Sequence, residues 1–370
     1  MNKDKELDLS NYNVRTDLAI EAHEMLLEKE QEEAAGPIKG VKIEDEQEQG
    51  IRITRIEVMD KEGEQAIGKK IGRYVSIEVP CLRKKDSEIQ NRVATKFAQE
   101  FHRFLETIGI SANAKGLVIG LGNWNVTPDA LGPMVVENLT VTRHLFQLVP
   151  ESVEDGYREI SAISPGVLGI TGIETSEIVQ GIVDRSKPDF IIAIDALASR
   201  SLERVNTTIQ ISDTGINPGS GIGNKRKAID RETLGVPVIA VGCPTVVDAV
   251  SVANDAIEYV LSHLTNTIKS KSDNVVNPLA PHQVKVHPYT HYDERSRNMD
   301  EHLLGVVGSL DIDEKRQLIK EVLNPLGHDL IVTPKEVDTF IEDMANIIAN
   351  GLNAALHKAI DMSNVTAYTH

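Results

Sequence analysis

Two aspartates in this chain stand where a carboxylate can do chemistry. Asp129 lies in the stretch GLVIGLGNWNVTPDALGP, residues 116–133, and Asp195 closes the apolar run Phe190-Ile191-Ile192-Ala193-Ile194. Each follows a short segment of the kind that forms a strand buried on both faces. A charge at such a strand end is costly unless it is solvated, paired or used. Two carboxylates held together cannot both ionise easily, so one keeps a proton while the other acts as a base. Such a pair can deprotonate a water and protonate a leaving amine, the minimum for peptide hydrolysis. The residues alone leave alternatives open. Aspartate is also a routine helix cap, and Asp213 is a third carboxylate at an expected strand end. Cys243 follows another apolar run, with His144 as a possible base. Pro244, however, removes the next backbone N–H that a cysteine mechanism would use.

These residues need a scaffold, and the pattern supplies one. Gly120 and Gly122 permit a tight turn after the strand Leu117-Val118-Ile119, and Thr127-Pro128 reads as a helix start that places Asp129 just inside it. Strands are expected at residues 51–58, 74–79, 190–194, 207–211 and 236–241. Helices are expected at 91–108, 134–139, 175–183 and 246–264. Thr333-Pro334-Lys335-Glu336 has the form of a capping box ahead of a last apolar helix. Strands that alternate with helical patterns predict an α/β fold with a mostly parallel sheet flanked by helices. In such sheets ligands collect beyond the carboxyl ends of the strands.

Composition narrows the function. A net charge of −17 over 370 residues argues against direct nucleic-acid binding, which relies on lysine and arginine. No run reaches membrane-spanning length, the N-terminus lacks a secretory signal, and Cys81 and Cys243 imply no disulfide framework. A cytoplasmic protein is therefore expected. Residues 18–50 read as an acidic flexible arm, residues 51–370 as one α/β domain, and 268–298 as an exposed polar insertion. His282, His287 and His291 in that insertion lack the helix or cysteine partners of a metal site, so no metal and no cofactor are expected. The glycine-rich segment 215–227 does not match a phosphate-binding loop and reads as a mobile wall of a substrate groove.

Several long stretches in order resemble one family. GLGNWNVTPDALGP, TRHLFQLVPESVEDGYR, SPGVLGITGIETSEI, PDFIIAIDALASRS, ERVNTTIQISDTGINPGSGIGNKRK and TPKEVDTFIEDMANIIANGLNAALH are similar to the germination proteases of spore-forming bacteria. The resemblance implies a core similar to hydrogenase maturation proteases and an atypical aspartic endopeptidase, with Asp129 and Asp195 as the catalytic pair. It implies small acid-soluble spore proteins as substrates in the forespore and spore core, and a homotetramer. It also implies a zymogen that cuts itself after an acidic residue. Thr16-Asp17-Leu18-Ala19-Ile20-Glu21 fits, with the cut between Asp17 and Leu18 and residues 1–17 as propeptide. Acidic substrate residues need a positive partner, for which Lys225, Arg226 and Lys227 are candidates on charge. The competing readings are a non-catalytic acidic binding protein, a metal-assisted peptidase, and a nucleoside hydrolase or phosphorylase using the glycine-rich loop.

Overall fold

The computed structural model describes residues 16–30, 38–84, 86–217, 227–257, 259–260, 312–323, 330–361 and 364. The chain divides into two compact units. The larger comprises residues 15–247 and 333–370, the smaller residues 1–14 and 248–332.

The larger unit is built on a mixed sheet. Its strands are β1 (Val41–Glu48), β2 (Ile51–Val58), β3 (Gly72–Glu78), β4 (Gly116–Gly120), β5 (Ile160–Ile163), β6 (Phe190–Ser199), β7 (Thr208–Ser212) and β8 (Val238–Asp248). They lie in the order β1-β2-β3-β7-β8-β6-β4-β5. The neighbours β8, β6, β4 and β5 run parallel, and the remaining pairings, β1 through β3 to β7 and β8, are antiparallel. The fold is α/β. The central parallel strand β4 and the first part of β6 read as continuous apolar runs because both faces are covered: every residue of β4 is buried, as is every residue of β6 from Phe190 to Asp195.

The helices bury their apolar stripes on that sheet. Helix α3 (Ser87–Thr107) turns Val93, Phe97, Phe101, Phe104 and Leu105 inward, the expected 3.6-residue spacing. It packs against the C-terminal helix Val337–Leu356. A side chain at Gly351 would meet Phe97 at 2.4 Å, so the glycine is what allows the two helices to close. Met344, Ile347, Ile348 and Leu352 of the C-terminal helix belong to the same core as Ile192, Ile194 and Val241 of the sheet.

Four expectations change. The region expected as an acidic flexible arm contains helix α1 (Ala19–Glu30) and strand β1. Most of the acidic residues of β1 are exposed, on an edge strand whose hairpin with β2 closes at Gln49-Gly50, both with positive φ. Strand β6 does not stop at Asp195 but runs on to Ser199, and β8 runs through Gly242-Cys243-Pro244 to Asp248. The helix expected from 246 therefore begins at 249. Thr333 does not cap the last helix, since its hydroxyl donates to the Thr245 carbonyl at 2.9 Å and the helix starts only at Val337. The 268–298 insertion, with His282, His287 and His291, lies outside the described residues. In the smaller unit the described parts include helix Ile312–Leu323 and an Ala249 N–H that donates to the Leu330 carbonyl at 3.0 Å. Among the described residues no helix is long and apolar enough to cross a membrane.

His357 ties the end of the C-terminal helix to the segments around Thr140 and Arg158. It is fully buried, accepts from the Arg158 N–H at Nδ1 (3.1 Å) and faces the Thr140 carbonyl at Nε2 (3.2 Å). Burial pushes its pKa from 6.5 down to about 4. Between those values the unfolded chain binds the proton that the folded chain refuses, so stability is complete above about pH 6.5 and falls as pH drops. Going from pH 7 to pH 5 should cost about 2 kcal/mol through this residue. Urea midpoints at the two pH values, compared with those of His357→Gln, measure it. Equal slopes for both proteins would show that His357 contributes nothing.

Candidate active site

The backbone around Asp129 is shaped by three glycines. Strand β4 ends at Gly120, opposite Ile194 of β6, and the Leu121 N–H then donates to the Ile194 carbonyl at 2.8 Å. Gly122 has φ +113°, and a Cβ there would stand 1.9 Å from the Asp129 carbonyl oxygen. The same carbonyl accepts from the Asn123 N–H at 2.9 Å, so the loop folds back directly on Asp129. A Cβ on Gly132 would meet the Leu121 and Ile194 carbonyls at 2.3 and 2.6 Å, and one on Gly120 the Gly132 carbonyl at 2.3 Å. Backbone thus packs on backbone. Helix α4 (Leu131–Glu137) is brought down onto the residue that precedes Asp195.

Asp129 itself ends a short 3-10 turn, Thr127–Asp129, ahead of α4. It does not sit inside the helix as the Thr-Pro pattern predicts. The Thr127 side chain makes no cap. Proline at the second position of the turn fixes its φ instead. The turn is also held from β8, where the Thr245 hydroxyl donates to the Pro128 carbonyl at 2.6 Å.

Asp195 is 7% exposed and pairs with Gly242 of β8 in register. Its Oδ1 accepts from the Ala196 N–H at 2.9 Å. Although β6 continues, Asp195 lies one residue past the end of β4 pairing, where the sheet opens on that side. The carboxyl end of β4 and the middle of β6 are therefore the shared address of the Asp129 turn and Asp195.

The other candidates are placed elsewhere. Asp213 follows β7, three residues from Gln210, whose partner on β8 is Gly242. At strand rise that is about 10 Å toward the amino end of the parallel strands. Asp213 accepts from the Arg73 N–H at 2.7 Å, and its carboxyl is raised by burial against the opposing pull of Arg73. Cys243 is fully buried in the main core, with its thiol pushed up to about 12 by burial, and His144 is exposed. An un-ionised core thiol without a base is not a nucleophile. Lys225 and Arg226 lie outside the described residues, and Lys227 is exposed. The ends of the glycine-rich loop are joined by paired backbone bonds between Ile216 and Ile229. Among the described residues, no group of three or more His, Cys, Asp or Glu gathers as metal ligands.

A feature that sequence reasoning missed lies beside Asp195. The segment from Thr16 to Glu21 is docked on the part of β6 that β4 leaves uncovered. The Asp17 N–H donates to the Ala198 carbonyl at 3.0 Å, and its Oδ2 accepts from the Ala198 N–H at 2.8 Å. Leu18, Ala19 and Ile20 are 0–1% exposed in a core with Ile56, Tyr74 and Leu197. Glu21 accepts from the N–H groups of Arg200 (2.7 Å) and Ser201 (2.9 Å) and lies 3.6 Å from the Arg204 guanidinium. The signal was present but hidden, since Glu21 is one acid among many in its run.

The geometry of Gly122 makes a direct prediction. Gly122→Ala should leave both aspartates in the chain yet lower any activity of the site about 100-fold, the scale expected for an ångström of misplacement. Comparing kcat with that of the parent at matched far-ultraviolet circular dichroism tests this. An unchanged rate would detach the loop from the chemistry.

The fold and these placed carboxylates define an α/β protein with a candidate acid–base site where its parallel strands end. A family model described as germination protease matches residues 19–369. Germination proteases of Bacillus cytotoxicus and Bacillus cereus are 59% and 58% identical over 370 residues, covering 98% of this chain and 99% of each relative. Among solved structures, the [NiFe] hydrogenase maturation protease HycI of Thermococcus kodakarensis matches 35% of this chain and 74% of its own. That match has 19% identity and a TM-score of 0.23, a likeness too slight to carry weight. The chain belongs to the germination protease family and is a peptidase.

Proposed function

We propose that this peptidase is an endopeptidase that acts on small acid-soluble spore proteins in the spore core and is made as a self-processing zymogen. Asp129 and Asp195 form its catalytic pair. The observation that carries the reading is the convergence described above. Gly122, Gly132 and the Leu121–Ile194 hydrogen bond bring the Asp129 turn against β6 immediately before Asp195. In the proposed reaction one carboxylate takes a proton from water as the water attacks the peptide carbonyl. The other, protonated, gives its proton to the leaving amine.

The proposed cut lies between Asp17 and Leu18 and removes residues 1–17. Support comes from the docking of that junction on the same strand as Asp195, three residues further along. As held, the junction is not poised for cutting. Residues from Ala19 onward are helical, whereas a peptide bond under attack needs an extended chain. The docked state is therefore the uncut, inactive one. The C-terminal helix, expected as core or subunit interface, lies in the core of its own unit, and the homotetramer rests on the family resemblance alone.

Intact mass of the full chain under mildly acidic conditions, beside Asp129→Asn and Asp195→Asn, tests the reading. Loss of residues 1–17 from the parent alone is expected. Loss from all three would assign the cut to another agent or another pair. Activity of the processed protein should also survive exhaustive chelation. Its disappearance, with recovery on adding a metal back, would favour the metal-assisted reading.

A further inference from the structure

We infer that the seat now filled by Asp17, made by Ala198, Gln210 and Lys69, is a subsite for an acidic residue of an extended substrate chain, and that residues 16–17 block it until they are removed. The inference rests on the peptidase reading and adds to it the residues that read the substrate's charge.

The seat follows from the pleat of β6. In a strand the backbone groups of alternate residues point to the same side. Phe190 donates its N–H to Lys115, and Ile194 accepts from Leu121, so the even-numbered residues of β6 face β4. Because β4 stops at Gly120, the groups of Ala196, Ala198 and Arg200 face an edge with no strand beside it. That edge is occupied from within the chain. The Ala196 N–H donates to Asp195, both Ala198 groups are bonded to Asp17, and the Arg200 N–H donates to Glu21. An open edge of this kind accepts an extended peptide through its main chain, with side-chain pockets supplying the selectivity.

Three further contacts complete the seat. Gln210 Nε2 donates to the Asp17 carbonyl at 3.1 Å, while its Oε1 accepts from the Ala19 N–H at 2.7 Å. The Lys69 ammonium donates to the Thr16 carbonyl at 2.9 Å. Lys69 is partly buried just past helix α2 (Lys61–Ile67). Burial lowers its pKa, against the attraction of Asp17 and then Glu21. The seat thus offers an N–H to a carboxylate, and a carbonyl, an amide and the Lys69 ammonium to the main chain that carries it, with the positive charge of Lys69 close enough to attract the carboxylate.

Cutting after Asp17 splits this arrangement in two. Leu18, Ala19 and Ile20 are buried, and Glu21 is tied to Arg200 and Ser201, so this part stays as the floor. Thr16 and Asp17 leave. Ala198 then loses both backbone partners, Gln210 loses one, and Lys69 loses a carbonyl and a nearby carboxylate. The chemistry that refills the seat is an extended residue with an acidic side chain. At strand rise the seat lies about 10 Å from Asp195, a few residues of extended substrate away from the carboxylate pair. Lys69, rather than the exposed Lys227, is the cation placed to select it.

The test needs no activity from the chain. The full-length Asp195→Asn protein is folded with an added protease's recognition sequence, Ile-Glu-Gly-Arg, in place of residues 14–17. Clipping then leaves Leu18 as the first residue. Peptide SNYNVRTD (residues 10–17) with an amidated C-terminus, and the same peptide ending in Asn, are titrated by calorimetry. The acidic peptide should bind at least about tenfold more tightly, the least expected of a charge-assisted hydrogen bond. Lys69→Met should abolish the preference and Lys69→Arg should retain it. Equal binding of the two peptides, or a preference that survives Lys69→Met, overturns the inference. Because binding is read in a protein that cannot cut, failure of the aspartate mechanism would leave this result untouched.

Discussion

Asp195→Asn is expected to fold as the parent does and to cleave a small acid-soluble spore protein roughly 1,000-fold more slowly, within the range contributed by a positioned acid or base. The side-chain oxygen that accepts from the Ala196 N–H at 2.9 Å is kept in asparagine, so the local backbone keeps its partner. What is lost is the ability to hold or release a proton. The register with Gly242 is unaffected, since the substituted side chain has the same shape. The loss should fall on kcat and on kcat/KM alike, the pattern of an interaction made only in the transition state. A KM effect alone would instead place Asp195 in substrate binding. Full activity would move the chemistry to another residue.

Glu21→Ala is expected to be the most destabilising single truncation near the N-terminus. The carboxylate is 2% exposed and accepts from two backbone N–H groups and from the Thr16 hydroxyl, with Arg204 beside it. Removing it leaves the Arg200 and Ser201 N–H groups orphaned and takes one anion from Arg204. Burial works against that guanidinium's charge, but Glu24 and Glu78 hold its pKa above the ordinary arginine value. Losing one member of a buried ionic network costs about 3–5 kcal/mol. Because Arg204 keeps Glu24 at 2.6 and 2.7 Å and Glu78 at 2.7 Å, the lower end of that range is expected. A lower denaturant midpoint at unchanged slope is the predicted readout. A change below 1 kcal/mol on the same scale would mean that the N-terminal segment is not an integral part of the fold.

Much of the scaffold was legible because its signal is local. The apolar runs at Leu117 and Phe190, the glycines after β4 and the stripe of α3 are read within a few residues of one another. Where the sequence misled, the decisive partner was distant. Asp195 looked like a strand end because polarity rises there, yet β8 carries the pairing on to Ser199. Thr333 looked like a cap, but Thr245 claims its hydroxyl. The N-terminal region looked like a solvated arm because acids dominate its composition. Three of its apolar residues, Leu18 to Ile20, find their pocket among Ile56, Tyr74 and Leu197, and no window of sequence contains both. Lys69 was invisible for the same reason, since only the docked Thr16 gives its ammonium a task.

The central claim is that Asp129 and Asp195 act as one unit, and a double-mutant cycle tests it most directly. Cleavage of a small acid-soluble spore protein is timed for chains starting at Leu18, in the parent, in Asp129→Asn, in Asp195→Asn and in the double variant. Residues that share one proton-transfer task are grossly non-additive, so the double variant should be no slower than the slower single one. Losses that multiply would show two independent contributions. Full activity in either single variant would contradict the pair.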